Sequence, residues 1–281
     1  KKKLSTLIKR TLSGLVFIIL MIAGLLVHPL GYAVLMSCCV GIMFVEFYRM
    51  TLGDQNKMGQ VFGFFSGILL FLATYIIARY GFEAARFWLL ALLIPITAVW
   101  VSVLYNRGKD SFRNAAFLFL PLLYIALPFS IFNFLAFNPL GMFQGIYLLA
   151  LFIILWASDI GGYLIGMAFG QKNGHKLFPS ISPKKSWEGF FGSLVFSQGI
   201  AFALFKLDMM PFAWYHCVLL ALIICIFGVI GDLTESGMKR YFGVKDTGSI
   251  MPGHGGLLDR FDGALISFPI AIAYILFVFY I

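Results

Sequence analysis

Apolar residues run through this chain in long unbroken blocks, separated by short polar breaks. Blocks near 12–30, 31–48, 61–79, 87–105, 115–135, 146–169, 189–207, 212–232 and 263–281 each approach the roughly 20 residues that a helix needs to cross the hydrocarbon of a bilayer. Strands of a membrane barrel would instead alternate apolar and polar positions over about ten residues. The pattern therefore predicts an all-α, polytopic integral membrane protein with about nine transmembrane helices. The break between the first two blocks rests on His28-Pro29-Leu30-Gly31, a turn-forming run. The start Lys1-Lys2-Lys3 leads into a block longer than a signal-peptide core, with no small-residue cleavage site after it. We read that block as an uncleaved first span.

Composition agrees: of 281 residues, 61% are hydrophobic and 12% charged, with a mean hydropathy of +0.94. A soluble globule of this size has no interior large enough for so much apolar surface, which excludes a large soluble domain. Cys38, Cys39, Cys217 and Cys225 all lie in apolar blocks without metal-type spacing, and read as packing residues.

The net charge of +9 fits nucleic acid, an acidic membrane surface or phosphorylated substrates, and the location of the charges decides between them. With the N-terminus inside, Lys1, Lys2, Lys3, Lys9, Arg10, Arg49, Lys57, Arg107, Lys109, Arg113, Lys172, Lys176, Lys184, Lys185, Lys239, Arg240, Lys245 and Arg260 share one face. Only Arg79, Arg86 and Lys206 of the 21 basic residues fall on the other. That asymmetry is the mark of a cytoplasmic face. It predicts a cytoplasmic N-terminus, makes most of the charge a matter of topology, and implies no nucleic-acid partner. No transit segment is evident, which points to a bacterial cytoplasmic (inner) membrane.

Chemistry is unevenly spread. Residues 1–145 hold spans 1–5, joined by bland loops with Glu46, Asp54, Glu83 and Asp110 scattered among them, whereas 146–281 hold spans 6–9 and two long, charged, Gly-rich loops at 170–188 and 233–262. The second part reads as the catalytic one. Asp159 sits inside an apolar block, where an ionisable group needs a partner, a cavity or a cation. Gly162, Gly166 and Gly170 make a smooth helical stripe suited to close packing. Ser182-Pro183-Lys184-Lys185-Ser186 precedes a predicted helix, where lysines, hydroxyls and free N–H groups suit a phosphate.

If the eighth span continues past Gly231, then Asp232, Glu235, Ser236 and Lys239 share one helical face. The following loop carries Lys245, Asp246, His254, Gly255 and Gly256 before Asp259, Arg260 and Asp262 at the mouth of the last span. Glycines let the backbone approach a ligand. Carboxylates without thiolates favour a hard ion such as Mg²⁺, and the interleaved basic groups describe a site for a metal-bound polyphosphate. His254 reads as a phosphate donor or a loop-fixing partner ahead of a general base. His28, His175 and His216 stand alone in the sequence.

The run Ser-x-Met-Lys-Arg-x4-Lys-Asp-x-Gly-x3-Pro-x-His-Gly-Gly-x2-Asp-Arg-x-Asp from Ser236 to Asp262 closely resembles the signature of the phosphatidate cytidylyltransferase (CDP-diacylglycerol synthase) family. Ser182-Pro183-Lys184-Lys185-Ser186-x-Glu188-Gly189 and Asp159-x-Gly161-Gly162-Tyr163 resemble its companion motifs; Met251 departs conservatively. The resemblance covers most of 156–262. It implies transfer of CMP from CTP to phosphatidic acid with Mg²⁺ as cofactor, at the cytoplasmic membrane boundary among membrane lipids.

It further implies Asp232 and Asp259 as metal ligands; to these the acidic pattern of the loop adds Asp246 and Asp262, and Asp159 is placed to hold a second cation or to order the site from below. Lys239, Arg260 and His254 join the two aspartates as catalytic candidates. Ser182, Lys184, Lys185, Ser236, Lys239, Arg240, Lys245, Gly255, Gly256 and Arg260 are the phosphate-binding candidates. The glycine stripe also permits a homodimer. The alternatives are a CTP-dependent enzyme acting on another lipid, a lipid-alcohol kinase and a cation-coupled transporter, which also places carboxylates and broken helices in membranes.

Overall fold

A computed structural model describes residues 2–106, 110–170, 174–251, 253 and 255–279, with side chains described from residue 11 onward. The order of elements is α1 (Lys2–Leu26), α2 (Pro29–Thr51), α3 (Lys57–Tyr80), α4 (Phe82–Tyr105), α5 (Ser111–Pro121), α6 (Leu127–Ala136) and α7 (Gly145–Ile165). A hairpin of β1 (Lys176–Phe178) and β2 (Ser182–Ser186) follows, then α8 (Trp187–Lys206), α9 (Trp214–Tyr241) and α10 (Leu258–Phe279). Among the described residues eight segments are long and apolar enough to cross a membrane, with α5 and α6 counted as one; the first expected span matches the shorter apolar stretch Thr11–Leu26 of α1. The all-α, multi-pass expectation holds.

Two compact units result: Lys1–Gly145 with Val244–Arg260, and Ile146–Gly243 with Phe261–Ile281. In the first, helix ends follow local chemistry. The His28 ring accepts from Leu30 N–H (3.1 Å) ahead of Pro29 at the start of α2, where a missing N–H costs nothing. Asn56, at φ 47°, accepts from Gly59 N–H (3.0 Å) to cap α3. Pro121 interrupts the ladder that would join α5 to α6, and the chain widens into a π-turn over Leu122–Ala126 before Pro128 restarts the helix.

The interior of this unit is not wholly apolar. Fully buried Asn133 of α6 donates to Phe71 O (3.1 Å) and Thr74 Oγ1 (2.9 Å) of α3 and accepts from Tyr32 of α2 (3.0 Å). In a bilayer-spanning bundle, where apolar contact with lipid competes with apolar contact between helices, such a hub ties three helices together.

In the second unit helices meet through glycine. A β-carbon on Gly161 would lie 2.5 Å from Gly192 O, and one on Gly192 would lie 2.7 Å from Gly161 O. Helices α7 and α8 therefore touch backbone to backbone. Gly162 and Gly166 face Gly189 and Ser193 of α8, while Gly170 abuts Ser186, so the expected stripe is taken up within the chain. Helices α9 and α10 cross in the same way at Gly228, Gly231 and Gly263: a β-carbon on Gly231 would come within 2.3 Å of Asp262 O. Phe152 packs against Phe261 and Phe268 nearby.

Part of the loop expected at 170–188 forms the hairpin, with Lys176 opposite Ser186 and Phe178 opposite Ser182. Pro183 pushes Ser182 toward extended backbone, and the second strand ends at Ser186, whose Oγ accepts from Gly189 N–H (3.2 Å) to cap α8.

The glycine crossings predict different fates for two similar substitutions. Gly161→Ala drives a methyl group into a backbone carbonyl, and overpacking of this kind costs about 1–3 kcal/mol. Gly199→Ala on α8 meets nothing within 4 Å and gains helix propensity. Thermal unfolding in detergent should show a lowered midpoint for the first and an unchanged or raised one for the second.

Candidate active site

Chemistry-bearing side chains gather in two groups, one in each unit. In the first unit the signature loop is organised by two carboxylates. Glu46, well inside α2 and only 4% exposed, accepts from Leu257 N–H (3.0 Å), Leu258 N–H (2.9 Å) and Thr247 Oγ1–H (3.4 Å). Leu258 opens α10, so Glu46 satisfies N–H groups that have no partner within the helix and places its charge at the positive end of the helix dipole. Asp259, in the first turn of α10, accepts at Oδ2 from Thr247 N–H (3.0 Å) and Gly256 N–H (2.7 Å), and shares with Glu46 the single Thr247 hydroxyl proton, from the shorter distance of 3.0 Å. Its reach back to Gly256 follows the logic of a capping box.

The glycines of this loop make room for those carboxylates. A β-carbon on Gly248 would lie 2.4 Å from Glu46 Oε1, and one on Gly256 would lie 2.7 Å from Glu46 Oε2. Gly255 adopts φ +85° and closes an antiparallel bridge with Met251, whose N–H donates to Gly255 O (3.1 Å). Lys245, Asp246 and Arg260 are exposed around the loop. His254 lies outside the described residues.

In the second unit, α9 runs on to Tyr241, and its last turns carry the expected face. Lys185 of β2 pairs with Asp232 (2.5 Å), and Ser236 Oγ–H donates to Asp232 Oδ1 (3.2 Å). One turn further, Lys239 pairs with Glu235 at 3.4 Å, with Glu235 fully buried and the Lys239 side chain 12% exposed. The crossing at Gly231 and Gly263 brings Asp262 of α10 alongside, where it feels the charges of Asp232 and Lys185 and meets Glu235. Three carboxylates and two ammonium groups thus share one neighbourhood. The Lys185–Asp232 pair is partly open, at 25% and 41% side-chain exposure, whereas the Glu235–Lys239 pair is shielded.

The hairpin that carries Lys185 is held at its base. Glu188 Oε1 accepts from His175 N–H (3.0 Å) and contacts the His175 ring (3.3 Å), Trp187 N–H donates to His175 O (2.9 Å), and Lys176 Nζ donates to Gly170 O (2.9 Å). Ile181 at its tip packs over Gly237 of α9. His175 is therefore a working member of the hairpin, and His216 likewise meets Tyr274 (2.6 Å); neither is isolated as the sequence suggested. Ser182 is half-buried, Lys184 and Arg240 are exposed, and Asp159 lies exposed on α7 within electrostatic reach of Cys225.

Among the described residues no three His, Cys, Asp or Glu side chains converge on a point that encloses a metal ion. Mg²⁺ does not need such a cage, since it keeps waters and is commonly held by one or two carboxylates together with substrate phosphates. The hard oxygen donors of Asp232 and Asp262 fit that mode. Glu46 and Thr247 were not singled out by sequence reasoning, and Glu188 entered it only as a position in a companion motif. Glu46 carried the same signal as Asp159, an ionisable group within an apolar block.

Residues 8–278 match the model of the cytidylyltransferase family. The phosphatidate cytidylyltransferase of Staphylococcus haemolyticus is 33% identical over 267 residues, covering 93% of this chain and 96% of that protein. That of Bacillus subtilis is 31% identical over 261 residues, covering 92% of each. A Staphylococcus aureus protein of the same name is 42% identical over 168 residues, covering 59% of this chain and 60% of its own length.

Removing the Glu46 carboxylate should loosen the signature loop. Glu46→Ala leaves the N–H groups of Leu257 and Leu258 without their acceptor, a deficit of about 1–3 kcal/mol for each buried group. Hydrogen exchange at those two amides should accelerate at least tenfold, while exchange at Asn133-bonded segments of α3 stays at the wild-type rate.

Proposed function

The chain belongs to the cytidylyltransferase family, and we propose that it transfers CMP from CTP to phosphatidate, releasing pyrophosphate and leaving CDP-diacylglycerol in the membrane. The observation that carries this reading is the cluster on α9, α10 and the hairpin. Lys185 and Lys239 stand among Asp232, Glu235 and Asp262 at the end of a membrane-length helix, which combines groups for phosphate and for a cation where a lipid headgroup is accessible.

In this reaction a phosphate oxygen of phosphatidate attacks the α-phosphorus of CTP in line. The new P–O bond forms as the bond from that phosphorus to the β-bridging oxygen breaks, and the electron pair leaves with pyrophosphate. A phosphate monoester is largely ionised near neutral pH, so its attack does not depend on a strong general base. The protein's work is placement and charge compensation. Lys185 sits on a hairpin braced by His175 and Glu188 and offers its ammonium group to a phosphate in exchange for Asp232. Lys239 is held in place by its pair with Glu235. Arg240, exposed beside Lys239 at the end of α9, supplies a further cationic group for the phosphates.

Asp232 and Asp262 would hold Mg²⁺, which when bound neutralises triphosphate charge and polarises the reacting phosphoryl group. The family resemblance implies Asp259 as a ligand too; its hydrogen bonds to Thr247 and Gly256 support a role in shaping the loop. The one-sided distribution of basic residues supports a cytoplasmic location for this chemistry, and the bacterial relatives support a bacterial cytoplasmic membrane.

Purified protein in mixed micelles with phosphatidate, CTP and Mg²⁺ should form CDP-diacylglycerol and pyrophosphate in equal amounts, and chelation should stop both. Asp232→Asn should lower turnover by about 10²-fold or more, the scale of losing a charge-stabilising group in a reaction centre, with an unchanged thermal midpoint. Turnover above a tenth of wild type in that variant would remove Asp232 from the role assigned to it.

A further inference from the structure

The first unit contains a cavity of about 700 Å³ between α2, α3 and the signature loop, within the size range of sites that take small ligands. Its wall is apolar, built from Ile42 and Val45 of α2 and Phe64 and Ile68 of α3. Its polar end is formed by Glu46, Arg49 and Ser249. Cys38, Ile42, Val45 and Arg49 follow one another at helical spacing, so the groove runs along one face of α2. From Cys38 to Arg49 the helix rises about 16 Å, close to half of the ~30 Å hydrocarbon thickness of a bilayer. The groove is therefore as deep as one leaflet, with its cation at the end of the helix.

Charge at that end is selective. Glu46 is already committed to the N–H groups of Leu257 and Leu258 and to Thr247. Arg49 is exposed, and among the described residues it makes no ion pair. A guanidinium group at the mouth of a leaflet-deep apolar groove suits a lipid with an acyl chain and a phosphate. The groove ends on Ser249 and Ile250 of the same loop that Glu46 and Asp259 organise.

We propose that this groove is a binding site for phosphatidate, with one acyl chain lying along α2 between Cys38 and Val45 and the phosphate held by Arg49. The proposal rests on the reading of phosphatidate as the lipid substrate, and it identifies specificity-determining residues in a part of the chain where the sequence shows only apolar spans.

Cys38 provides a direct readout, because it is exposed while Cys39, Cys217 and Cys225 are buried. Full-length protein in detergent is treated with N-ethylmaleimide, and alkylation of Cys38 is followed by mass spectrometry with phosphatidate, phosphatidylglycerol or phosphatidylcholine added. Phosphatidate should slow alkylation about tenfold, the effect of one charge-assisted contact. Phosphatidylcholine should leave the rate unchanged, and phosphatidylglycerol should protect weakly. Arg49→Gln should abolish the protection, Arg49→Lys should retain part of it, and Arg49→Gln should raise KM for phosphatidate with KM for CTP unchanged. Equal protection by phosphatidylcholine, or by phosphatidylglycerol, would overturn the proposal in favour of a general lipid groove, as would no protection by phosphatidate in protein that turns it over. If wild-type protein forms no CDP-diacylglycerol, the functional reading fails, and the labelling distinguishes the two failures.

Discussion

A carboxylate in the interior of a membrane helix is tolerated only where donors surround it, and Glu46 meets that condition with the start of another helix. The unpaired N–H groups at the head of α10 need an acceptor, and Glu46 needs donors. Each removes the other's penalty. Because Thr247 joins the same carboxylate, the arrangement also fixes the Gly-rich segment between α9 and α10. Gly248 and Gly256 then follow as requirements of space, since either side chain would occupy the position of the carboxylate. A glycine-rich loop that sequence alone describes as pliable is, on this account, clamped.

The second unit solves a related problem by different means. Its carboxylates are set by helix crossings in which backbone meets backbone, at Gly228, Gly231 and Gly263, and its lysines are delivered by a side-chain pair on α9 and by a short braced hairpin. Both pairs compensate charge near a low-dielectric region, but they differ in access. Lys239 and Glu235 are shielded and suited to holding position, while Lys185 and Asp232 remain partly open and suited to exchanging partners with a ligand. The division assigns different work to residues one turn apart on the same helix.

Much of this was legible from the chain. Apolar blocks gave most helix ends to within about five residues, although α1 begins ten residues before its block and α9 runs nine past its own, and the one-face argument for Asp232, Glu235, Ser236 and Lys239 needed only that α9 continue. What stayed hidden depends on distant partners. Glu46 and Thr247 meet although 201 residues separate them, and no local pattern encodes that meeting. Part of the expected loop at 170–188 is a hairpin because Pro183 and the Glu188–His175 contact favour extended chain, a preference too short to rise above the helical signal around it. The glycine stripe was read correctly as a packing surface, but its partner, a second set of glycines on α8, becomes evident only in three dimensions.

The backbone crossing of α9 and α10 has a consequence for how such a centre can change over evolutionary time. Side chains at a helix contact are adjustable spacers: a methylene group more or less shifts the separation by fractions of an ångström. Here the spacer is the peptide unit itself, so the separation of Asp232 and Asp262 inherits the accuracy of covalent geometry and of van der Waals radii. The same feature makes the junction brittle. No single replacement at Gly231 can tune the gap in small steps, and any drift must come as compensating changes on both helices, or in the outer surfaces that face lipid and leave the crossing untouched.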